Sequence, residues 1–167
     1  EGLLTRLDAL PNVNFQPGVS TTSSQTRSTE ARVNLSSGER VFCKMLIAAD
    51  GRDSPIRHAA KIRAKRTDFG QLALSFAVNH DTPHENISTE VHKAGGPFTL
   101  VPLPDFKGKP SSAVVWMDRV SAIRKMQSIP TKAFNAAITE RSASVLGQLE
   151  VITARTAWPI ISQLSDH

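Results

Sequence analysis

Asp50, Gly51, Ser54 and Arg57 are the residues whose types and spacing point to chemistry. A carboxylate is followed by a residue without a side chain, then by a hydroxyl three positions on and a guanidinium three beyond that. At a strand tip a carboxylate accepts hydrogen bonds from ribose hydroxyls, and a glycine permits a positive φ and lets a ligand come close to the backbone. An arginine one helical turn after a serine cap adds a charge-assisted contact to a phosphate. The neighbouring sequence predicts the elements that would hold these groups. Met45 to Ala49 is apolar with no polar face, which suits a strand covered on both sides. Ser54, or Asp53, suits a helix N-cap, Pro55 fits the first helical position, and Ile56, Ala59 and Ala60 can face inward. The N–H groups and positive end of such a helix favour an anion. The same junction also occurs as a capped helix with nothing bound, and spacing alone leaves both readings open.

Other constellations carry less. His80, Asp81, His84, Glu85 and His92 have metal-ligating side chains. Pro83 breaks the helical spacing of a zincin, however, so a solvated loop and no metal site are expected. Ser54 lacks the Gly-x-Ser-x-Gly elbow of a nucleophile. Gly108-Lys109-Pro110-Ser111 ends like a phosphate loop but lacks the upstream glycine. Cys43 beside Lys44 is either a thiol of lowered pKa or a half-buried strand cysteine. Trp116 and Trp158 are expected in a core or at a domain interface. No catalytic acid, base or nucleophile is nominated.

Composition sets the bounds. A chain of 167 residues with 40% hydrophobic and 21% charged residues is ordinary for a globular protein with one good core or two small ones. No apolar run reaches the roughly 20 residues that span a bilayer, and no signal-peptide pattern opens the chain. The single cysteine excludes an internal disulfide framework and fits a reducing compartment, so a cytoplasmic location is expected. The net charge of +5 comes from residues 1–66, with eleven Lys and Arg against six Asp and Glu, while the remainder has nine of each. Arg57, Lys61, Arg63, Lys65 and Arg66 form the densest cluster. No aromatic residue interleaves with it and no recognition motif accompanies it, so it reads as a solvated basic helix face rather than a nucleic-acid site.

Along the chain, Leu3, Leu4, Leu7 and Leu10 predict an amphipathic helix stopped by Pro11. Val13 to Gln16, Val19 to Gln25, Glu30 to Leu35 and Arg40 to Lys44 predict strands, the last running directly into Met45 to Ala49. Beyond residue 67 the alternation of Leu72, Leu74, Phe76 and Val78 marks a half-buried strand. Ile87 to His92, Phe98 to Val101 and Ser112 to Trp116 add three more, giving an antiparallel sheet of about four strands with a loop over Pro104 to Pro110. Asp118 and Thr131 are expected to cap two helices, the second ending near Leu146, and Leu149 to Ile160 reads as a last strand. The fold class is α+β.

These residues carry a resemblance. Ala49-Asp50-Gly51-Arg52-Asp53-Ser54-Pro55-Ile56-Arg57 resembles the Asp-Gly motif of the FAD-dependent aromatic hydroxylases: Asp-Gly, two variable residues, Ser, two more, then Arg. The Val33, Leu35 and Gly38 hairpin before it matches the same context. Gly96-Pro97-Phe98-Thr99-Leu100-Val101-Pro102-Leu103-Pro104 and Ser112-Ala113-Val114-Val115-Trp116 are similar to the middle segment of the ubiquinone-biosynthesis hydroxylases. The resemblance implies that Asp50, Gly51, Ser54 and Arg57 contribute to binding FAD and NAD(P)H. It also places Leu100, Pro102 and Leu103 near an aromatic substrate, with ordinary strand packing as the alternative. By the same resemblance residues 1–66 are part of a nucleotide-binding domain, 67–160 a substrate-binding sheet domain, and 161–167 the start of a return to the first domain.

The implied activity is aromatic hydroxylation, in which FAD reduced by NAD(P)H activates oxygen for transfer to a phenol or quinol ring, in a polyprenyl substrate of ubiquinone biosynthesis. The implied partner is thus a small prenylated aromatic molecule. A peripheral place at the inner membrane or in a biosynthetic complex follows from the resemblance alone. The family's Gly-x-Gly-x-x-Gly turn and its later Gly-Asp motif are not found in these 167 residues. The chain therefore reads as the middle part of such an enzyme, expected to be inactive by itself. A flavin-dependent reductase and a non-enzymatic binding module stand as alternatives.

Overall fold

The computed structural model describes residues 2–165, which divide into two compact units. One comprises the chain through Lys65 together with the segment from Gln163, and the other is Arg66–Ser162. Sheets with a few helices make the α+β class expected from the sequence.

In the first unit, α1 (Gly2–Asp8) precedes a three-stranded antiparallel meander of β1 (Thr21–Thr26), β2 (Ala31–Leu35) and β3 (Arg40–Cys43). Ala31 and Val33 on β2 are its buried apolar side chains, and the half-buried Cys43 thiol donates to the Ala31 carbonyl at 3.7 Å. Two expected strands are absent. Val13 to Gln16 is irregular, and β3 stops at Cys43 instead of running on through Met45 to Ala49. A strand exists through its ladder, and no described strand pairs with that run; Met45 and Ile47 are 75% and 78% exposed. The following helix, α2 (Pro55–Ala59), is only five residues long. Lys61 has φ +57 and terminates it, and the basic residues Lys65 and Arg66 lie on β4. The expected basic helix face is thereby corrected.

In the second unit, β4 (Ala64–His80), β5 (Thr89–Lys93), β6 (Gly96–Phe106), β7 (Lys109–Arg119), β8 (Leu149–Val151) and β9 (Thr156–Ser165) form one sheet in the order β5-β6-β7-β4-β8, with β9 also paired to β4. The sequence leads to four of these strands and a single last one, so the sheet has one strand more than expected. β6 and β7 form a long hairpin turning at Lys107 and Gly108, both at positive φ, where the sequence suggests a loop from Pro104 to Pro110. Pro102 and Pro104 are tolerated because the pairing of β5 with β6 ends at Thr89 opposite Leu100, which leaves β6 a neighbour on one side only. Leu149 to Ile160 is two strands, and Trp158 on the second is 57% exposed, not a core residue.

Helices α3 (Val120–Ser128) and α4 (Thr131–Arg141) supply Ile123, Phe134 and Ile138 to the core. They pack with Leu72, Leu74, Phe76 and Val78 of β4 and with Phe98, Leu100, Val114 and Trp116 of β6 and β7. Neither helix is capped as the sequence suggests. The N-cap positions are Arg119 and Pro130, without a side-chain cap, and Asp118 accepts from the Arg119 amide at 2.7 Å. The break between the helices is closed from outside: one Arg155 nitrogen donates to the Met126 and Ile129 carbonyls at 2.8 and 2.9 Å, with the guanidinium 4.6 Å from the Phe134 ring centre.

Candidate functional site

The Asp-Gly segment lies in the first unit and is held together by short-range bonds. Ser54, 4% exposed, caps α2 by accepting from the Arg57 amide at 3.0 Å. Pro55 follows at the first helical position, where its missing N–H costs nothing. Asp50 accepts from the Ile56 amide at 3.3 Å. The leading amides of α2 are therefore taken by protein oxygens. With fewer than two turns behind them, this helix start is not the phosphate site that the sequence suggests. Its cationic handle is the Arg57 side chain.

Gly51 has φ +92, and a Cβ placed there would meet no atom within 4 Å. The turn thus favours glycine through its φ, and the space beside the backbone is open. Arg57 donates from Nη1 to the Arg52 carbonyl at 2.8 Å, and Gln163 donates to the same oxygen at 2.7 Å. Beside these groups is a cavity of 420 Å³ whose walls include Leu46, Ala48 and Ile62 as apolar surface and Gly51, Ser54 and Arg57 as the polar edge. Exposed Met45 and Ile47 alternate with Leu46 and Ala48 along the extended run, so the sequence identifies the apolar segment but not its use as a cavity wall.

The Asp50 carboxyl is held below its ordinary value of 3.8, first by a hydrogen bond from the Ser54 side chain. The Ile56 amide, Asp50's own amide and the charge of Arg57 act in the same direction, against desolvation, which raises it. A carboxyl lowered on folding contributes stability above its unfolded-state value, and the contribution is lost as pH falls through the lowered value. Carbon-detected NMR titration is expected to place the Asp50 midpoint below 3.8, and Ser54→Ala to move it upward. An unchanged midpoint in that variant would show that Ser54 does not hold the carboxylate.

The three residues expected near an aromatic substrate are not brought together. Leu100 is 1% exposed within the core of the second unit. By strand alternation Leu103 faces the opposite side of the sheet, and Pro102 and Leu103 are both half-buried.

The histidines near the end of β4 have other employment. His80 Nδ1 donates to the Thr82 carbonyl at 2.8 Å, so its Nε2 accepts from the Ser112 hydroxyl at 2.9 Å. His84 donates to the Leu103 carbonyl at 3.0 Å and accepts from the Asn86 amide at 3.1 Å. Gly108 forms a hairpin turn, and the Ser111 hydroxyl donates to the Pro104 carbonyl at 2.7 Å, which gives this segment a structural use in place of phosphate binding.

Residues that sequence reasoning misses at the cavity are Thr26, Ile62 and Ser165, with Gln163 bound to the turn behind it. Gln163 lies 111 positions from its partner, and no local pattern signals such a pairing.

The chain is 26% identical over its whole length to ubiquinone hydroxylase UbiL of Rhodospirillum rubrum, covering 38% of that protein. It is 24% identical over 92% of its length to 3-demethoxyubiquinol 3-hydroxylase of Escherichia coli, again covering 38%. Among solved structures, 98% of the chain superposes on 31% of CmlS, a flavin-dependent halogenase, with a TM-score of 0.74 and 14% identity, which is a likeness of fold. The chain thus spans less than two-fifths of the curated relatives it matches. The family match extends over residues 6–166, and by it this chain belongs to the FAD binding domain family.

Proposed function

We propose that this chain supplies the Asp-Gly part of a site for FAD and NAD(P)H in a parent monooxygenase that hydroxylates an aromatic ring of a polyprenyl phenol or quinol. The observation that carries the reading is the placement of Gly51, Ser54 and Arg57 on one cavity, with Asp50 tied beside them through the Ile56 amide, within a chain of the FAD binding domain family. The named relatives, a ubiquinone hydroxylase and a 3-demethoxyubiquinol 3-hydroxylase, support the substrate class.

The residues present fit an anionic dinucleotide. The missing Cβ of Gly51 leaves room beside the backbone, Asp50 is an exposed acceptor for sugar hydroxyls, and Arg57 offers a planar cation for a phosphate oxygen. When bound, the flavin supplies the oxygen chemistry. The chain's own residues bind and orient. Asp50 selects a hydroxyl-bearing group and disfavours a phosphate beside its own charge. Ser54 lowers the pKa of that carboxylate, and Leu46, Ala48 and Ile62 give the cavity its apolar wall. No proton transfer is assigned to any side chain here.

The isolated chain is expected not to hold FAD tightly and to oxidise no NAD(P)H. A stoichiometric yellow flavin band co-purifying with it, or NAD(P)H consumption by it, would overturn that. The full-length parent, incubated aerobically with NAD(P)H and a prenylated phenol, is expected to give a hydroxylated product. Flavin reduction that ignores the aromatic compound and yields no such product would instead identify a reductase. A colourless parent would remove the flavin reading altogether.

A further inference from the structure

Resting on the dinucleotide reading just given, we propose that Gln163 is a positioning residue that frees Arg57 for the ligand. Two donors share one acceptor: Arg57 Nη1 and Gln163 Nε2 approach the Arg52 carbonyl oxygen at 2.8 and 2.7 Å. A carbonyl has two lone pairs and accommodates both. Among the described residues the guanidinium is the one cation on the cavity wall, and in this state it is spent on the protein's own backbone. To reach a ligand's phosphate it must leave that oxygen.

If Arg57 were its only donor, departure would strip the carbonyl of its protein partner and release the turn that carries Gly51 at φ +92. Gln163 removes that cost. It stays on the Arg52 oxygen while Arg57 swings away, so the turn keeps its shape and the arginine exchanges one acceptor for another. Besides that carbonyl, Arg57 meets the His58 ring, 3.4 Å from its Nη2, and its charge acts on the Asp50 carboxylate. The contact to be exchanged for a ligand's phosphate is the one to the carbonyl.

The test uses ADP-ribose, which carries a ribose and a pyrophosphate, titrated into the 167-residue chain and followed by amide NMR shifts in the millimolar range. Gln163→Met, which keeps the length and removes the donor, is expected to weaken binding about 3- to 10-fold, the equivalent of one hydrogen bond in partly exposed surroundings. Gln163→Leu should do the same and guards against a folding defect peculiar to one variant. In an Arg57→Ala background the Gln163→Met effect is expected to vanish, because the residue acts through the arginine. In the unliganded chain, Gln163→Met should also slow rotation of the Arg57 guanidinium, now the sole donor to its carbonyl.

Equal affinities in wild type and both Gln163 variants would overturn the proposal. So would a loss that persists undiminished without Arg57, since that marks a purely structural role. A wild-type chain whose binding is abolished by Asp50→Ala but is indifferent to Gln163 would leave the dinucleotide reading standing and sink only this inference. No response of the wild type to ADP-ribose would overturn both.

Discussion

Phe134→Ala is expected to lower the unfolding free energy by about 3–5 kcal/mol, the range for deleting a fully buried aromatic side chain. Phe134 is 0% exposed, and its ring meets that of Phe76 edge-to-face at a centroid distance of 5.0 Å. The Phe134 ring also carries the Arg155 guanidinium, 4.6 Å from its centre, which in turn holds the Met126 and Ile129 carbonyls at the end of α3. Removing the ring therefore opens a cavity between β4 and α4 and also withdraws the surface on which Arg155 rests. Urea denaturation of the variant beside Arg155→Met and the double variant would separate the two effects. A coupling near zero between them would show that the arginine is held by its carbonyl bonds alone. A loss below about 1 kcal/mol for Phe134→Ala would mean that the core repacks over the gap.

Gly96→Ala is expected to cost about 2–4 kcal/mol. Gly96 has φ +143, a region closed to side-chain-bearing residues, and an added Cβ would lie 2.6 Å from the backbone oxygen of Met117. That oxygen belongs to β7, so relief requires the start of β6 to shift against its neighbour. The Gly96 carbonyl also accepts from Arg141, a buried side chain of α4, so a shift would disturb that contact too. Gly108→Ala is the control. Its φ is +74 with nothing within 4 Å of the added carbon, and only the left-handed penalty of about 1 kcal/mol applies. Thermal melts of the two variants should differ by several degrees. Equal melting temperatures would show that the β6 start yields to the methyl group freely.

The ease with which each part is read from sequence follows the range of the interactions that make it. The alternation from Leu72 to Val78 is decisive because one sheet face is covered by helices and period two is the geometry of a strand. The Asp-Gly segment is legible for a similar reason: Ser54, Pro55 and Arg57 meet within one helical turn, and the Ser54 cap forms as its residue types suggest. The end of β6 is less so. A run containing Pro102, Pro104 and Gly108 reads as loop, and it becomes a hairpin because β5 stops at Thr89 and leaves that edge without a ladder to interrupt. The α3 and α4 caps mislead because Asp118 is paired within β7 and turns to the adjacent Arg119 amide.

What the sequence determines by itself is local: the positive-φ glycine of the Asp-Gly turn, the serine cap and proline start of α2, the alternating core strand, and the residue types that suit a dinucleotide. Each depends on dihedral preference, on side-chain period, or on bonds closed within about four residues, so residue order carries the information. The tertiary structure alone decides the rest. It buries Leu100 in the core and leaves Met45 and Ile47 exposed beside a cavity wall. It also brings Gln163 to the Arg52 carbonyl from 111 positions away. Whether an apolar residue becomes core, wall or surface depends on which strand lies beside it, and that pairing is a property of the folded chain.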